Sequence, residues 1–341
     1  MGAALGRAPS SRRPRPMSAP SSPIRLCIAG EGAMGSTHAR IFAAMPGVKI
    51  VALAAADMAR GRQLAAQYGI PDCGDDLAAA LARPDVDAVV LATPSGLHAE
   101  HAELAARLGK PMLIEIPAAL TLADTERLAR VQAETGVPMM VAHSRRFAPP
   151  HTTLRERIQS GDFTLHHLVC ETYFFRRNNL NMFGEPRTWV DSLLWHHACH
   201  TVDLFCWLLD ESEFDVWGQR GPDHPELGIP MDVTVAMRSR KRGTLLTMAM
   251  SFNNKGPFGG FYRYIGEQDT YRAFRDELSD SDGKIVEMPG AQPAFEAQDA
   301  EFIAALREGR PSRCDIASVL PAMRALDGID RVMRGEPTAA R

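Results

Sequence analysis

The segment that most restricts the fold is residues 24–44, where a glycine-rich loop separates a short apolar run from a helical pattern. The loop reads G-E-G-A-M-G. Such a loop indicates a dinucleotide-binding motif when a strand precedes it and a helix follows it, as here. The first glycine permits a tight turn, the second lets the backbone approach a pyrophosphate, and the third lets the helix pack closely on the strand. The free N–H groups of the helix would bind the phosphates. The predicted loop contacts are Gly30, Gly32, Ala33, Met34 and Gly35.

Apolar runs and helical patterns continue to alternate along the first half of the chain. Strands are predicted at 24–29, 48–54, 87–92, 111–114 and 138–142, and helices at 36–44, 61–68, 77–82, 98–108 and 122–135. This alternation predicts a doubly wound parallel sheet, here a Rossmann domain over residues 24–145. Ligands of such sheets bind beyond the carboxyl ends of the strands. The segments 93–95, 115–117 and 143–146 should therefore line one cleft, with Thr93, Pro94, Glu115 and Pro117 as candidate cofactor contacts.

The end of the second strand bears on the choice between NAD and NADP. An acidic residue there usually binds the ribose hydroxyls of NAD, but this chain has Ala55. The missing carboxylate removes a repulsion against a 2′-phosphate, and Arg60 and Arg62 are close enough in sequence to bind one. NADP is the favoured cofactor on this ground. The alternative is NAD, with Asp57 binding the ribose and both arginines facing solvent.

The second half, residues 146–341, has a different pattern and is predicted to form a substrate-binding and oligomerisation domain. Strand-like segments lie at 165–175, 215–219, 233–237, 244–252, 263–265 and 270–274, with helices at 152–159 and in the tail from 295 to 333. Several strands with few helices between them indicate an open, mostly antiparallel sheet. The predicted fold class is α/β: a Rossmann sheet followed by an α+β domain.

Residues 189–205 contain three histidines within five positions and read as a helix. On a helix His196 and His200 share one face, Asp203 lies one turn further on, and His197 is turned away by about 100°. A buried helix whose histidines are satisfied by neighbours is the simpler explanation. A metal site is a further possible explanation of the histidines. It lacks a third ligand at a matching spacing, and His197 stands where zinc hydrolases carry glutamate.

Two arginine pairs follow predicted strand ends, Arg145 with Arg146 and Arg176 with Arg177. Exposed arginines are usually just solvated. If the pairs converge on the cleft, they would suit an anionic substrate, because a guanidinium binds a carboxylate through two parallel hydrogen bonds.

The motifs together resemble the glucose-fructose oxidoreductase and inositol dehydrogenase family. They are the glycine loop, A-T-P-x-x-x-H ending at His98, E-x-P at 115–117 and H-x-x-D at 200–203. The resemblance covers residues 24–335 and implies His98 as a further cofactor contact and a carboxy-terminal sheet that packs against another subunit in a homodimer or homotetramer. Longer runs, among them H-S-R-R-F, T-Y-F-F-R-R-N-N and L-L-W-H-H-A-C-H-T-V-D-L-F, resemble one subgroup. Its members oxidise, with NADP, a cyclic hemiacetal that carries two carboxylates and arises by ring cleavage of protocatechuate.

Two departures from the broad family set the expected chemistry. Ile116 stands where the family has the catalytic lysine of its E-K-P motif. His196 stands where the family usually has an aspartate, four residues before its histidine. A sugar or polyol dehydrogenase is therefore the weaker alternative, beside a non-catalytic NAD(P)-sensing regulator. An imidazole titrates near neutral pH, so His196 or His200 is expected to be the base, oriented by Asp203. The four arginines should hold the carboxylates of the substrate, with Asn178, His197 and Asn253 as further contacts.

Charge and cysteine content limit the partners and the compartment. The net charge of −3 gives no reason to expect nucleic acid or membrane partners, and the chain has no run of 18 apolar residues. Six scattered cysteines read as free thiols in a reducing compartment, which predicts a cytoplasmic protein. Residues 1–23 are rich in Ser, Pro and Arg, lack a periodic apolar pattern, and are predicted to be disordered.

Overall fold

A computed structural model describes residues 22–336, except 182, 183, 188, 191 and 258. All but the last two residues of the predicted disordered extension, 1–23, lie outside the described residues.

The first half forms a six-stranded parallel sheet of order β3-β2-β1-β4-β5-β6. Its strands are β1 (Ile24–Ala29), β2 (Val48–Ala54), β3 (Cys73–Gly74), β4 (Ala88–Leu91), β5 (Met112–Ile114) and β6 (Met139–Val141), and its helices are α1 (Ala33–Ala44), α2 (Met58–Tyr68), α3 (Leu77–Ala82), α4 (His98–Arg107) and α5 (Leu122–Thr135). Every residue of β4 and β5 is buried. A parallel sheet covered on both faces requires such continuous apolar strands, and the predicted Rossmann sheet is confirmed.

The second half forms a seven-stranded sheet of order β13-β12-β11-β7-β10-β9-β8. Its strands are β7 (Leu165–Tyr173), β8 (Phe214–Arg220), β9 (Asp232–Ser239), β10 (Leu245–Ser251), β11 (Phe261–Gly266), β12 (Thr270–Phe274) and β13 (Glu277–Ser279), and the remaining helices are α6 (Pro149–Ser160), α7 (Cys199–Leu209), α8 (Ala294–Glu308) and α9 (Leu320–Met333). All neighbours pair antiparallel except β7 with β10, so the mostly antiparallel prediction is confirmed. Buried and exposed residues alternate along β9, as expected of a sheet that packs helices on one face only.

The chain returns to the first core near its carboxyl end. Phe302 and Ile303 of α8, and then Cys314, belong to the apolar core of the Rossmann sheet. The backbone N–H of Val141 donates to the carbonyl oxygen of Cys314 at 2.8 Å. The expectation that all of residues 146–341 form the second domain is therefore corrected. The apolar face of α8 packs into the first core against α1, although α8 follows the second sheet along the chain.

A buried histidine connects α8 to the cofactor half. His38 of α1 has ring nitrogens 2.8 Å from Asp299 Oδ2 and 2.8 Å from Glu115 Oε1, and all three side chains are buried. Burial alone would lower the pKa of His38, but the charges and hydrogen bonds of Asp299 and Glu115 outweigh it and raise the pKa to about 10. The imidazolium thereby holds together α1, the loop after β5 and α8.

This bridge predicts a loss of stability at alkaline pH. A histidine whose pKa is higher in the folded state stabilises the fold fully below its unfolded pKa of 6.5, and this contribution disappears as the pH rises towards about 10. Between those values we expect the melting temperature to fall by about 5 °C or more. Scanning calorimetry of the His38→Gln variant supplies the control, because its melting temperature should be lower at neutral pH and vary less with pH. Parallel curves for the two proteins would contradict a charged His38.

Candidate active site

The glycine loop after β1 has the geometry of a phosphate site. Gly30 has a φ of +110°, and a Cβ there would lie 2.3 Å from the carbonyl oxygen of Ala92. A Cβ on Gly35 would lie 1.9 Å from the oxygen of Gly30, whereas Gly32 has open space around it. Gly32 begins α1 without a side-chain cap, which leaves the first N–H groups of the helix available to an anion. The loop therefore fits the pyrophosphate of a dinucleotide.

The end of β2 differs from the arrangement expected for NADP. Asp57 caps α2, with its carboxylate accepting from the N–H groups of Ala59 and Arg60 at 2.9 and 3.2 Å. The guanidinium of Arg60 lies 3.6 Å from Asp57 and forms a second ion pair with Glu185 of the other half. Arg60 is therefore already paired with two carboxylates. This corrects the expectation that Arg60 is available to bind the 2′-phosphate of NADP. Arg62 is exposed on α2.

The loops after β4 and β5 are held together by a histidine. The ring nitrogens of His98, which is buried, lie 2.7 Å from the carbonyl oxygen of Thr93 and 2.8 Å from that of Pro117. Glu115 is engaged by His38. His98 and Glu115 therefore fix the two loops from inside, which corrects their expected role as direct cofactor contacts. Thr93 and Pro94 remain partly open, half-buried and exposed respectively.

The histidine segment does not begin as the predicted α-helix. Residues 193–198 form a π-helix, in which the N–H of Cys199 donates to the carbonyl oxygen of Leu194, five residues back. Only from Cys199 to Leu209 is the helix α. A π-turn widens the helix locally and is frequent at functional sites. It changes the phase between His196 and His200, so the two imidazoles contact different neighbours.

His196 joins the two halves of the molecule. Its Nε2 lies 2.9 Å from Ser95 Oγ in the loop after β4, and the ring stacks on Trp189 with centroids 5.2 Å apart. Its Nδ1 accepts the backbone N–H of Ser192 at 3.0 Å. An N–H can only donate, so Nδ1 carries no proton, and the proton of the ring lies on Nε2, directed at Ser95. His196 is thus arranged to position the two halves rather than to accept a proton.

His200 differs from His196 in the bonding of its ring nitrogens. Its Nδ1 is buried and has no hydrogen-bond partner among the described residues. The ring of His143, which follows β6, packs edge-on at a centroid distance of 6.4 Å. Burial, and next the positive charge of Arg145, lower the pKa of His200 well below its ordinary value of 6.5. At neutral pH it is an uncharged imidazole, able to accept a proton.

Asp203 does not orient either catalytic candidate. Its carboxylate accepts two hydrogen bonds from the guanidinium of Arg146. Nε donates to Oδ2 at 2.7 Å and Nη2 donates to Oδ1 at 2.5 Å, and both side chains are buried. Arg146 also donates to the hydroxyl and carbonyl oxygens of Ser318. The nearest imidazole is His143, whose Nδ1 lies 3.5 Å from Asp203. This corrects two expectations: Asp203 is not the partner of His196 or His200, and Arg146 is not open to a substrate.

The other predicted substrate ligands divide into two sets. Arg145 lies over the ring of Tyr262 at 5.7 Å, close enough to affect His200, and Arg176 lies over Phe252 at 4.9 Å. The ring of His197 packs between Phe174 and Phe252, at 5.1 and 5.3 Å.

The second set consists of exposed residues. Arg177 and Asn178 are exposed, and Arg177 donates to the carbonyl oxygens of Arg176 and Phe252. Asn253 is exposed and donates to Asp232 at 2.5 Å. Because side chains alternate along an extended chain, Asn253 lies on the opposite side from the buried Phe252. The predicted contact of these three residues with the substrate stays a prediction. Sequence reasoning did not single out Phe252 and Tyr262, whose rings lie against Arg176 and Arg145.

The described residues show neither a group of metal ligands nor a membrane-spanning helix. Among them, no three His, Cys, Asp or Glu side chains are grouped so as to hold a metal ion. None of the helices in this part of the chain combines the length and apolarity that a membrane span requires.

Comparison with known sequences matches both halves of the chain. Residues 24–143 match the model described as an oxidoreductase family with an NAD-binding Rossmann fold, and residues 149–292 match that of bacterial oxidoreductases, C-terminal. The chain is 41% identical over 310 residues to 4-carboxy-2-hydroxymuconate-6-semialdehyde dehydrogenase of a Sphingobium strain, covering 90% of this chain and 98% of that protein. It is 31% identical to scyllo-inositol 2-dehydrogenase (NAD(+)) of Bacillus subtilis, over 41% of each chain.

Solved structures share the whole fold. Levoglucosan dehydrogenase in complex with NADH and levoglucosan superposes with a TM-score of 0.80 at 20% identity, covering 93% of this chain and 98% of that one. An oxidoreductase of Agrobacterium radiobacter, in complex with NAD+, L-tartaric acid and magnesium, gives 0.78 at 18% identity, covering 92% and 97%. With both halves matched and one relative similar over almost its full length, the chain belongs to the glucose-fructose oxidoreductase and inositol dehydrogenase family of NAD(P)-dependent oxidoreductases.

Proposed function

We propose that the protein oxidises the cyclic hemiacetal form of 4-carboxy-2-hydroxymuconate-6-semialdehyde to 2-pyrone-4,6-dicarboxylate, a step in the catabolism of aromatic compounds. The observation that carries the proposal is the environment of His200: an uncharged imidazole with a buried, unbonded Nδ1, beside the guanidinium of Arg145. A base next to a fixed positive charge suits an alcohol that also carries carboxylates. The relative of that name supplies the substrate class.

In this reaction His200 removes the hydroxyl proton of the hemiacetal. The bound nicotinamide cofactor would accept the hydride from the same carbon, so that the hydroxyl becomes the carbonyl of the product. The uncharged form of His200 is ready to accept the proton at neutral pH. A bound dicarboxylate would raise the pKa of His200 again, because a nearby negative charge favours the imidazolium that the reaction produces.

Ile116 distinguishes this site from an ordinary sugar dehydrogenase of the family. The family's lysine would present an ammonium group at this position, whereas the side chain of Ile116 is apolar and packs against both hydrophobic cores. A polyol therefore loses a hydrogen-bonding partner. The positive charge near His200 comes instead from Arg145, on the loop after β6.

The direct test supplies ring-cleaved protocatechuate together with NAD or NADP and records absorbance at 340 nm. We expect reduction of the cofactor with formation of the pyrone dicarboxylate, identified by mass spectrometry, and far slower reduction with myo-inositol or glucose. Comparable rates with a polyol would contradict the proposed substrate. Absence of reduction with either cofactor would contradict the proposed reaction.

The arginine contact makes a separate prediction. Replacing Arg176 with alanine should raise KM for the dicarboxylate by about 10- to 100-fold, because a charge-assisted hydrogen bond contributes about 1.5–3 kcal/mol. Initial rates over a range of substrate concentrations measure the change. Arg130→Ala, which removes an exposed arginine of α5, is the matched control and should leave KM unaltered. An unchanged KM in the Arg176 variant would exclude Arg176 from the substrate site.

A further inference from the structure

Glu31 occupies an unusual position in the glycine loop. It stands between Gly30 and Gly32, and its carboxylate accepts the backbone N–H groups of Ala56 at 3.1 Å and Asp57 at 2.9 Å. These two residues directly follow β2. Because β1 and β2 are parallel neighbours, the loop after the first strand meets the end of the second at one edge of the sheet. Glu31 thus places a carboxylate at the end of β2, where the sequence of that strand supplies none.

The end of the second strand is where a dinucleotide-binding sheet receives the adenosine ribose. A carboxylate there accepts hydrogen bonds from the 2′- and 3′-hydroxyls of NAD. The carboxylate of Asp57, the nearest acid in sequence, is engaged in capping α2. Glu31, which is half-exposed, retains lone pairs for a hydroxyl donor beyond its two backbone contacts.

The same arrangement disfavours a 2′-phosphate in two ways. The N–H groups of Ala56 and Asp57, which could donate to phosphate oxygens, already donate to Glu31. The carboxylate also repels a phosphate at close range, where like charges interact strongly in a partly desolvated site. Of the two arginines near the start of α2, Arg60 is already paired with Asp57 and Glu185, and Arg62 is exposed on the helix.

We propose that Glu31 selects NAD over NADP, acting from the glycine loop in place of the usual acid on β2. This inference rests on the proposed dinucleotide-dependent oxidation and specifies its cofactor. It replaces the expectation of NADP, which was drawn from the lack of an acid at Ala55 and from the nearby arginines.

Direct binding tests the proposal without any turnover. The purified full-length protein is titrated with NADH and with NADPH, and nicotinamide fluorescence gives each Kd. The wild-type protein should bind NADH at least about tenfold more tightly than NADPH. A repulsion of about 1.4 kcal/mol between Glu31 and the 2′-phosphate corresponds to a tenfold difference in Kd. Glu31→Gln keeps the shape and one oxygen acceptor but removes the charge. It should lower the Kd for NADPH by about tenfold and change that for NADH by less than about threefold.

A matched variant separates the local charge from the net charge of the protein. Glu134→Gln removes an exposed carboxylate of α5, on the side of the sheet away from β2, and should leave both Kd values unaltered. Equal wild-type affinities, tighter NADPH binding, or an unchanged ratio in Glu31→Gln would each overturn the selection by Glu31. Binding of neither nucleotide would overturn the proposed function as well. NADH binding with the predicted ratio but no oxidation of the hemiacetal would support Glu31 and reject only the substrate.

Discussion

Replacing His200 with asparagine is expected to lower kcat by about 10²- to 10⁴-fold, the usual contribution of a positioned general base. Asparagine approximates the size of the imidazole but cannot accept a proton. The wild-type rate should stay level as the pH falls to 6.5, because the pKa of His200 lies well below that value, and should decline only in more acidic solution. The variant should lose this acid limb. Steady-state kinetics from pH 5 to 8 measure both effects.

Controls for the His200 variant separate chemistry from folding. His166→Asn removes an exposed imidazole of β7 and should leave kcat unchanged. Binding of the dinucleotide to His200→Asn should be close to wild type, because the glycine loop lies on the other sheet. A His200 variant with near-normal kcat would remove this residue as the base. If His196→Asn instead lost the acid limb of the pH profile, the base would be His196.

Replacing Asp203 with asparagine is expected to destabilise the fold by about 3–5 kcal/mol, because it leaves the buried guanidinium of Arg146 without its counter-charge. Domains are stable by only about 5–15 kcal/mol, so this is a large fraction of the total. Urea unfolding followed by circular dichroism measures the change. A catalytic role of Asp203 predicts a different result, a fall in kcat with the unfolding midpoint preserved.

The double variant Arg146→Met with Asp203→Leu is the matched control for the ion pair. Replacing both charges with apolar groups leaves no buried charge unpaired, and such exchanges are often neutral or stabilising. We therefore expect the double variant to recover most of the stability that Asp203→Asn loses, a non-additivity typical of contacting residues. Additive losses of stability would contradict a direct charge pair between Arg146 and Asp203.

The Rossmann half could be predicted because its determinants are local. Buried parallel strands must be continuous apolar runs, and β4 and β5 read as such. Gly30 and Gly35 are required by backbone contacts within one strand-loop-helix unit and with β4. The strand ends also predicted that the loops after β4 and β5 lie together, where His98 bonds to both, because the carboxyl ends of parallel strands share one edge. Even the mostly antiparallel second sheet followed from alternating patterns and turns.

Side-chain partners could not be predicted in the same way. Arg146 and Asp203 are 57 residues apart, Ser95 and His196 are 101 apart, and His38 and Asp299 are 261 apart. Each residue has several possible partners of suitable chemistry, and only the packing of the two cores selects one. Helical spacing suggested that His196 and His200 share a face, but the π-helix at 193–198 gave them different neighbours.

The sequence by itself therefore determined the two sheets, the dinucleotide loop and the histidine segment, since each depends on residues close together along the chain. Tertiary structure alone decided that His200, unlike His196, has a ring nitrogen without a hydrogen-bond partner among the described residues, that Arg146 is held in a buried ion pair, and that Glu31 supplies an acid to the end of β2. The physical reason is that protonation, charge pairing and cofactor preference depend on distances of a few ångströms between segments far apart in sequence, and folding sets those distances.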